Sequence, residues 1–388
     1  MDEKIKPIYM DYSSTTPTDI RVLDAMIPYF VNNFGNPHSS HIYGAKAMEA
    51  VKQARERVAE LIGATSEEII FTSGATEANN ISLRSCAELL LRQGRNHLIT
   101  TEIEHKSVLE TFNYLSSNGF EVTYLKVNKE GLIDLTELKK IIKPNTGLVS
   151  IITANNEIGV IQSIEHIAAI CKANNTLFHT DAVQAVGKIP VNVKKLGVDL
   201  LTLSGHKFYG PKGIGALYVS RKLIYKLKPI SFGGDQEFGI RPGTVPTPLC
   251  VGLGEACKIS IDEMEEESKR LYIFRDLFIS RLKMSCNDFR INGSLKQRLP
   301  GSLSISFFGV DAEALLISTK SKLSISTGSA CTSNTIQPSH VLLAIGLEDT
   351  EAESTVRITF GRYTTQAEIL EAVNVLSSAV TNMRKLNR

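Results

Sequence analysis

The feature that most constrains this chain is a regular alternation of short apolar runs and amphipathic helical patterns between residues 43 and 219. Residues 43–62 show apolar side chains at helical spacing, with charged residues on the opposite side. Apolar runs such as 68–72 and 97–100 follow, and each is separated from the next by another helical pattern. Strands that alternate with helices predict a mainly parallel β-sheet with helices on both faces. The fold class is therefore α/β.

Polar residues follow successive strands of this predicted sheet. In open α/β sheets, ligands bind beyond the carboxyl ends of the strands. A structural role explains each of these residues by itself, but their recurrence at one strand end after another indicates a shared site. The residues are Thr76, His105, Asn156, Asp181, Gln184, Ser204, His206 and Lys207.

The segment SGHKFYGPKGIGALYV, residues 204–219, places Lys207 at a predicted strand-to-turn junction beside several glycines. A lysine in this position suits Schiff-base chemistry with a flat ligand, provided that its surroundings favour the neutral amine. A surface hairpin with a solvated lysine explains the same segment. The segment alone does not decide between the two interpretations.

A second element, residues 73–77, joins a predicted strand to a predicted helix through small residues. Free N–H groups and the positive end of the helix dipole give this geometry affinity for phosphate, although a simple helix cap has the same appearance. Lys207, the upstream carboxylate of Asp181 and this turn together suggest pyridoxal phosphate. His105 would stack on the ring of that cofactor.

Composition limits the other possibilities. With 43% hydrophobic and 22% charged residues and a formal net charge of +2, the chain has no electrostatic reason to bind nucleic acid directly. We expect a protein of the cytoplasm, since neither a signal peptide nor a membrane-spanning run is evident. The cysteines have neither zinc-finger nor CxxC spacing, so no metal site is predicted.

Two domains are predicted from the patterns along the chain. A boundary near Ile261, before an acidic run at 262–267 that is expected to start a long helix, gives a large domain at 15–261. Residues 1–14 and 262–388 would form a smaller α+β domain.

Cys331 differs from the other five cysteines because it lies in a small polar stretch, STGSACTSN, without apolar neighbours. This context favours a reactive thiol over a packed one, with an idle loop cysteine as the alternative. Arg357 is an isolated cation in a strand pattern. It suits either an ordinary ion pair or a substrate carboxylate.

The segments YMDYS, FTSGATEANN, EIEHKSV, ANNEIG, HTDAVQAVGK, IRPGTVP and STGSACTSN, together with SGHKFYGPKGIGALYV, resemble the cysteine desulfurases of the class V aminotransferases. The resemblance extends over essentially the whole chain. It implies the fold type I pyridoxal phosphate architecture, in which a mainly parallel seven-stranded sheet is flanked by helices, and a homodimer. The context of Cys331 resembles the first of the two desulfurase groups.

The resemblance also implies roles for individual residues. Lys207 would bind the cofactor covalently, Asp181 would pair with the pyridine nitrogen, and Gln184 would bond the ring hydroxyl. Asn156 and Arg357 would bind the carboxylate of the substrate, L-cysteine, and Cys331 would take up its sulfur as a persulfide. The phosphate would be held by Ala75, Thr76, Ser204, His206 and the partner's Thr244.

The expected activity is the conversion of L-cysteine to L-alanine, with transfer of sulfur to a protein acceptor. Iron–sulfur cluster assembly, tRNA thiolation and DNA phosphorothioation are all consistent destinations for the sulfur. Two other functions are consistent with parts of the pattern. One is a different class V aminotransferase or lyase in which Cys331 is incidental, and the other is a catalytically inert sulfur-relay protein.

Overall fold

The structure is a computed structural model that describes residues 6–328 and 338–386. Its central element is a seven-stranded sheet with strand order β2-β8-β7-β6-β5-β3-β4. The pairs β7–β6, β6–β5, β5–β3 and β3–β4 are parallel, whereas β8 is antiparallel to both of its neighbours. The predicted mainly parallel sheet is confirmed. Its strands are β2 (Ile69–Thr72), β3 (His97–Thr101), β4 (Glu121–Leu125), β5 (Thr146–Ser150), β6 (Leu177–Asp181), β7 (Leu200–Ser204) and β8 (Gly215–Val219).

Helices cover both faces of this sheet, because each parallel crossover returns the chain over one face. Two clusters of buried apolar side chains, one including Ile99, Val149 and Leu201 and the other including Leu98, Leu148 and Leu200, lie on its two sides. Alternate residues of one strand therefore serve opposite faces. The helices are α1 (Ile20–Val31), α2 (Ile42–Ile62), α3 (Ala75–Leu91), α4 (Lys106–Ser117), α5 (Leu135–Ile141), α6 (Ile164–Ala173) and α7 (Val193–Leu196).

The remaining chain builds a separate apolar core, which includes Phe278, Ile305 and Leu376. Two small sheets belong to it: the antiparallel sheet β12-β10-β9, and the pair β1–β11, which is parallel. The expected smaller α+β part is confirmed. Its elements are β1 (Ile8–Tyr9), β9 (Phe289–Ile291), β10 (Ser302–Phe307), α9 (Ala312–Thr319), β11 (Leu323–Ser324), α10 (His340–Ala344), α11 (Asp349–Glu353), β12 (Thr355–Thr359) and α12 (Gln366–Leu386).

Helix α8 (Thr247–Ser285) corrects one expectation, since the acidic run 262–267 lies in its middle and not at its start. The acids pair across to other elements: Glu263 bonds Arg21, and Glu267 bonds Arg362. Its first half contributes Leu253 to the core beneath the large sheet, and its second half contributes Phe278 to the other core. The boundary predicted near Ile261 thus falls inside one continuous helix of 39 residues.

Within the described ranges, no helix is long and apolar enough to cross a membrane.

Candidate active site

One cavity of about 560 Å³ lies at the carboxyl ends of the parallel strands. It brings together nearly all of the residues that the sequence had indicated. They arrive from separate turns because parallel strands end at the same edge of the sheet. The predicted residues that line it are Ala75, Thr76, His105, Asn156, Asp181, Gln184, Ser204, His206, Lys207 and Arg357.

Lys207 lies in a short 3₁₀ turn that directly follows β7. Its Nζ donates hydrogen bonds to the carbonyl oxygens of Ser13 (2.8 Å) and Ser14 (2.7 Å). The amine is therefore aimed into the cavity and held against the N-terminal segment. A solvated surface hairpin, the alternative left open by the sequence, does not describe this geometry.

Asp181, at the end of β6, is almost fully buried, and its two carboxylate oxygens have separate partners. Oδ1 accepts a hydrogen bond from the backbone N–H of Val183 at 3.0 Å, and Oδ2 accepts one from Nδ2 of Asn79 at 2.9 Å. Both donors orient the carboxylate, and neither carries a full charge. A carboxylate in this position suits a cationic ligand group in the cavity.

His105 caps the N-terminus of α4 through its ring. Its Nδ1 accepts a hydrogen bond from the backbone N–H of Ser107 at 3.1 Å, so the ring proton of the neutral imidazole is on Nε2. Burial lowers the pKa of His105, an effect that the charge of Asp181 opposes. A neutral ring suits stacking on a flat ligand.

Asn79 and Ser107 are contributors that the sequence did not reveal. Asn79, on the buried face of α3, donates through Nδ2 both to Asp181 and to Ser107 Oγ, at 2.9 Å each. Ser107 Oγ lies 2.8 Å from Nδ1 of His105. A buried polar network therefore connects the predicted ring-stacking residue to the predicted partner of the ring nitrogen. The signal that could have found them is their position inside the FTSGATEANN and EIEHKSV motifs.

The N-terminus of α3 forms one end of the cavity, as the turn between β2 and α3 had predicted. The first N–H groups of a helix have no intrahelical acceptor and favour an anion. Gly74, which caps this helix, has φ +150° and ψ −175°, a conformation essentially restricted to glycine. This backbone conformation explains why the turn has glycine at that position.

Two further side chains, His206 and Lys212, also line the cavity. His206 shares a hydrogen bond of 3.1 Å with Thr15 Oγ1, and burial together with nearby Lys207 lowers its pKa to about 4. It is therefore a neutral side chain at pH 7. Lys212 adds a positive charge there that was not predicted from the sequence.

Arg357 reaches the cavity from β12, in the smaller α+β part. Its guanidinium donates to Asp11 Oδ1 (2.8 Å), Ser14 Oγ (2.6 Å) and the carbonyl oxygen of Asn156 (3.1 Å). Its Nε is buried and has no hydrogen-bond partner among residues 6–328 and 338–386. A buried donor without a partner is costly, so this N–H suits an anionic ligand group.

Two predicted residues do not join this set. Thr244 is exposed and does not line the cavity, and the structure gives it no role within one chain. Cys331 lies outside the described residues. The other five cysteines, Cys86, Cys171, Cys250, Cys257 and Cys286, are all free and buried, and burial raises the pKa of each thiol, for Cys171 to about 12.

These groups fit pyridoxal phosphate. The cavity offers an amine, a carboxylate that accepts hydrogen bonds from uncharged donors, a neutral aromatic ring and the N-terminus of a helix. The amine suits the carbonyl of the cofactor, and the carboxylate suits its pyridine nitrogen. The aromatic ring suits its flat ring, and the helix N-terminus suits its phosphate. In the described ranges, no group of three or more His, Cys, Asp or Glu side chains is arranged to hold a metal ion.

Comparisons with known proteins agree with this assignment. Residues 8–371 match the family model for class-V aminotransferases. The human protein named cysteine desulfurase is 48% identical over 384 residues, which cover 99% of this chain and 84% of that protein. A protein named cysteine desulfurase IscS from Rickettsia typhi is 46% identical and covers 100% of this chain and 95% of its own.

Solved structures extend the similarity to the fold. A structure described as a NifS-like protein has a TM-score of 0.91 and 37% identity, and the match covers 97% of this chain and 100% of that one. A second, described as SspA in complex with cysteine, has a TM-score of 0.80 and 40% identity over 92% of this chain and 99% of its own. The site and the full-length similarity together place the chain in the class-V aminotransferase family, among the cysteine desulfurases.

Proposed function

We propose that this protein converts L-cysteine to L-alanine in a reaction that depends on pyridoxal phosphate, and that it retains the sulfur on Cys331 before passing it to a protein acceptor. The observation that carries the proposal is the convergence of Lys207, Asp181, His105 and Arg357 on one cavity. The similarity to cysteine desulfurases supplies the choice among pyridoxal phosphate reactions.

The residues of the sheet edge would hold the cofactor. Lys207 would bind it covalently, Asp181 would pair with its ring nitrogen, and His105 would stack on the ring. Bound there, pyridoxal phosphate would act as an electron sink that stabilises negative charge on the substrate. Gln184 would bond the ring hydroxyl through the second N–H of its Nε2, whose first N–H donates to the carbonyl oxygen of Ser13. The phosphate would be held by the N-terminus of α3 with Ala75, Thr76, Ser204 and His206, and by the partner's Thr244.

The substrate carboxylate would be bound by Arg357 and Asn156. The Nε–H of Arg357, which has no partner among the described residues, and the second N–H of Nη1 would be the donors for it. The plane of the Arg357 guanidinium is fixed by its hydrogen bonds to Asp11, Ser14 and the carbonyl oxygen of Asn156. The direction of its Nε–H is therefore fixed as well. Lys207 would move protons at the substrate carbons, since an amine in this position can accept and return them.

Cys331 would carry the sulfur. Attack of its thiolate on the substrate sulfur forms an S–S bond and breaks the bond between sulfur and carbon. The electron pair of the broken bond stays on carbon, which takes up a proton, so that L-cysteine and the Cys331 thiol yield L-alanine and a Cys331 persulfide. The five buried cysteines support this choice, because a buried thiol with a raised pKa is a poor nucleophile.

A homodimer is the assembly we propose. Helix α1 and the start of α2 expose large apolar side chains, including Phe30 (58% exposed), Val31 (67%) and Ile42 (68%). Apolar patches of this kind mark interaction surfaces. The exposed position of Thr244 is also consistent with a role in the active site of a second subunit.

Phe30→Glu tests the dimer. This substitution should shift the sedimentation coefficient toward that of a monomer.

The acceptor is a protein of unassigned identity. The sulfur could serve iron–sulfur cluster assembly, tRNA thiolation or DNA phosphorothioation. In the last two cases the acceptor protein would bind the nucleic acid, because a net charge of +2 gives this chain no electrostatic reason to bind it directly. The free, buried thiols fit a reducing compartment such as the cytoplasm.

Replacement of Cys331 tests the proposal most directly. Cys331→Ser should keep the absorbance of the bound cofactor and abolish alanine formation from L-cysteine, because serine cannot accept sulfur. Cys286→Ser is the matched control, as a buried thiol outside the cavity, and should retain activity. Retained turnover in Cys331→Ser would contradict the assignment. Formation of a keto acid from L-cysteine instead of alanine would indicate a transaminase.

A further inference from the structure

The loop that follows β5 carries Glu157 directly after Asn156, a predicted substrate-binding residue. This loop is held from inside by Asn155, whose Oδ1 accepts hydrogen bonds from the backbone N–H groups of Glu157 (2.8 Å) and Ile158 (2.9 Å). Its Nδ2 donates to the carbonyl oxygen of Ile103 at 2.8 Å. The backbone that presents Glu157 is therefore fixed relative to the sheet.

The side chain of Glu157 points away from solvent, and the residue is only 5% exposed. Its Oε2 accepts a hydrogen bond from Ser339 Oγ. The same oxygen lies against Gly328, where an added Cβ atom would overlap the carboxylate. Gly328 is not among the glycines with positive φ, so the close approach of Glu157, rather than backbone conformation, requires glycine here.

Gly328 and Ser339 lie on the two sides of Cys331 in the sequence. One buried carboxylate thus contacts both ends of the segment that carries the predicted nucleophile. Both ends are also tied to the surrounding fold. Ser326 exchanges backbone hydrogen bonds with Arg357 (2.6 and 3.3 Å), and Ser339 caps α10 by accepting from the N–H groups of Val341 and Leu342.

Fixed ends determine where a tethered group can reach, and hence its effective concentration at a target. We propose that Glu157 is a positioning residue that holds both ends of the Cys331 segment beside Asn156, so that sulfur transfer to Cys331 depends on Glu157 while binding of L-cysteine does not. The inference rests on the proposed function, because it assumes that Cys331 receives the sulfur. It assigns to Glu157 no contact with substrate or cofactor.

Single-turnover measurements on the enzyme loaded with pyridoxal phosphate test this separation. Persulfide on Cys331 is followed by alkylation and mass spectrometry, and binding of L-cysteine by the change in cofactor absorbance. Glu157→Ala should slow persulfide formation at least tenfold and change the dissociation constant of L-cysteine less than twofold. Glu157→Gln keeps an oxygen that accepts from Ser339 and should stay within about threefold of the wild-type rate. Glu165→Ala, an exposed acid at the start of α6, is the matched control and should change neither quantity.

A substitution at Gly328 provides an independent test. Gly328→Ala should slow persulfide formation because its Cβ displaces the Glu157 carboxylate. In a Glu157→Ala background, the same change should cost little further, since the obstructing group is gone, and the two effects should be non-additive.

Three results would overturn the inference: a Glu157→Ala rate within twofold of wild type, a loss of L-cysteine affinity as large as the loss of rate, or additive effects of the two substitutions. Absence of persulfide on Cys331 in the wild-type protein would instead contradict the proposed function itself. The two failures are thereby distinguishable.

Discussion

The two halves of the active site are built in different ways. The cofactor half consists of His105, Asp181, Ser204 and Lys207, each placed at or just after the end of a strand of one sheet. The substrate half consists of Arg357, from the smaller α+β part, with Asp11 and Ser14 from the N-terminal segment. The first half is positioned by continuous backbone pairing. In the second, the backbone of Arg357 is also strand-paired, but its guanidinium is oriented by hydrogen bonds to regions that are far apart in sequence.

This difference indicates how each half should respond to substitution. A strand end remains in place when a side chain changes, so substitutions in the cofactor half should remove a chemical function and leave the geometry intact. Arg357 depends on Asp11, Ser14 and Asn156 for its orientation, so substitutions in the substrate half should affect substrate affinity first.

The largest expected effect is that of Lys207→Ala. Loss of the amine should remove the visible absorbance of covalently bound cofactor and reduce alanine formation at least a thousandfold, on the scale of other covalent catalysts. The absorbance spectrum and an alanine assay measure the two consequences. Lys226→Ala, an exposed lysine beyond β8, should leave both unchanged. An unaltered spectrum in Lys207→Ala would refute the covalent role.

Arg357→Lys tests the substrate half. Lysine keeps the positive charge but loses the planar fork that contacts Asn156, Asp11 and Ser14 at once. The KM for L-cysteine should rise about 10- to 100-fold, with a smaller change in kcat, because charge-assisted hydrogen bonds contribute roughly 1.5–3 kcal/mol. Steady-state kinetics measures the split. Arg290→Lys, at the ion pair with Glu351, is the control, and a fall in kcat without a rise in KM would contradict the assignment.

Asn79→Ala probes the network inside the cofactor half. Removal of its Nδ2 leaves Asp181 Oδ2 and Ser107 Oγ without their donor. The affinity for pyridoxal phosphate should fall about tenfold, as expected for a lost hydrogen bond to a charged group. Titration of the cofactor-free protein followed by fluorescence measures this affinity. Asn113→Ala, on the exposed side of α4, should have no effect, and an equal loss in both variants would mean that Asn79 is not specific to the site.

The smallest expected effect concerns stability and pH. Glu104 is fully buried, and its Oε2 has no hydrogen-bond partner in the part of the chain that the structure describes. Burial raises the pKa of this carboxyl from 4.5 to about 8. A folded-state pKa above the unfolded value contributes stability at low pH that is lost as the pH rises from about 4.5 to about 8. Glu104→Gln keeps the acceptor for Thr101 and Ile152 and cannot ionise.

Thermal unfolding of wild type and Glu104→Gln at pH 5 and pH 9 checks this expectation. The melting temperatures should be similar at pH 5, and the variant should be the more stable protein at pH 9. Glu102→Gln serves as a neighbouring control that should show no such divergence. A difference between wild type and Glu104→Gln that is independent of pH would contradict the raised pKa.

Much of the site could be read from the sequence because strand ends are local features. An apolar run followed by a polar residue identifies both the strand and the position that faces a ligand, as for Asp181 at the end of β6 and Lys207 after β7. Helix α1 was not predicted, although its pattern of apolar residues is regular. Pro28 within it argues against a helix by local rules, and packing of α1 against α8 overrides that preference.

The start of α8 was misplaced for a similar reason. An acidic run is typical of a helix N-terminus, where the dipole favours it, but also of the exposed face of a longer helix. Only the folded chain shows that Glu263 and Glu267 meet Arg21 and Arg362 from other elements. The division into domains at Ile261, and the roles of the individual site residues, stay predictions.

The sequence by itself determined the α/β class, the strand-end constellation around Lys207 and, through its motifs, the resemblance to cysteine desulfurases. These features depend on side-chain periodicity and on residues close together in the chain. The tertiary structure alone decided that Asn79 connects Asp181 to Ser107, that the Nε of Arg357 has no hydrogen-bond partner among the described residues, and that Glu157 contacts both Gly328 and Ser339. Each of these contacts joins segments whose proximity is fixed by packing and sheet order, and no local pattern encodes that proximity.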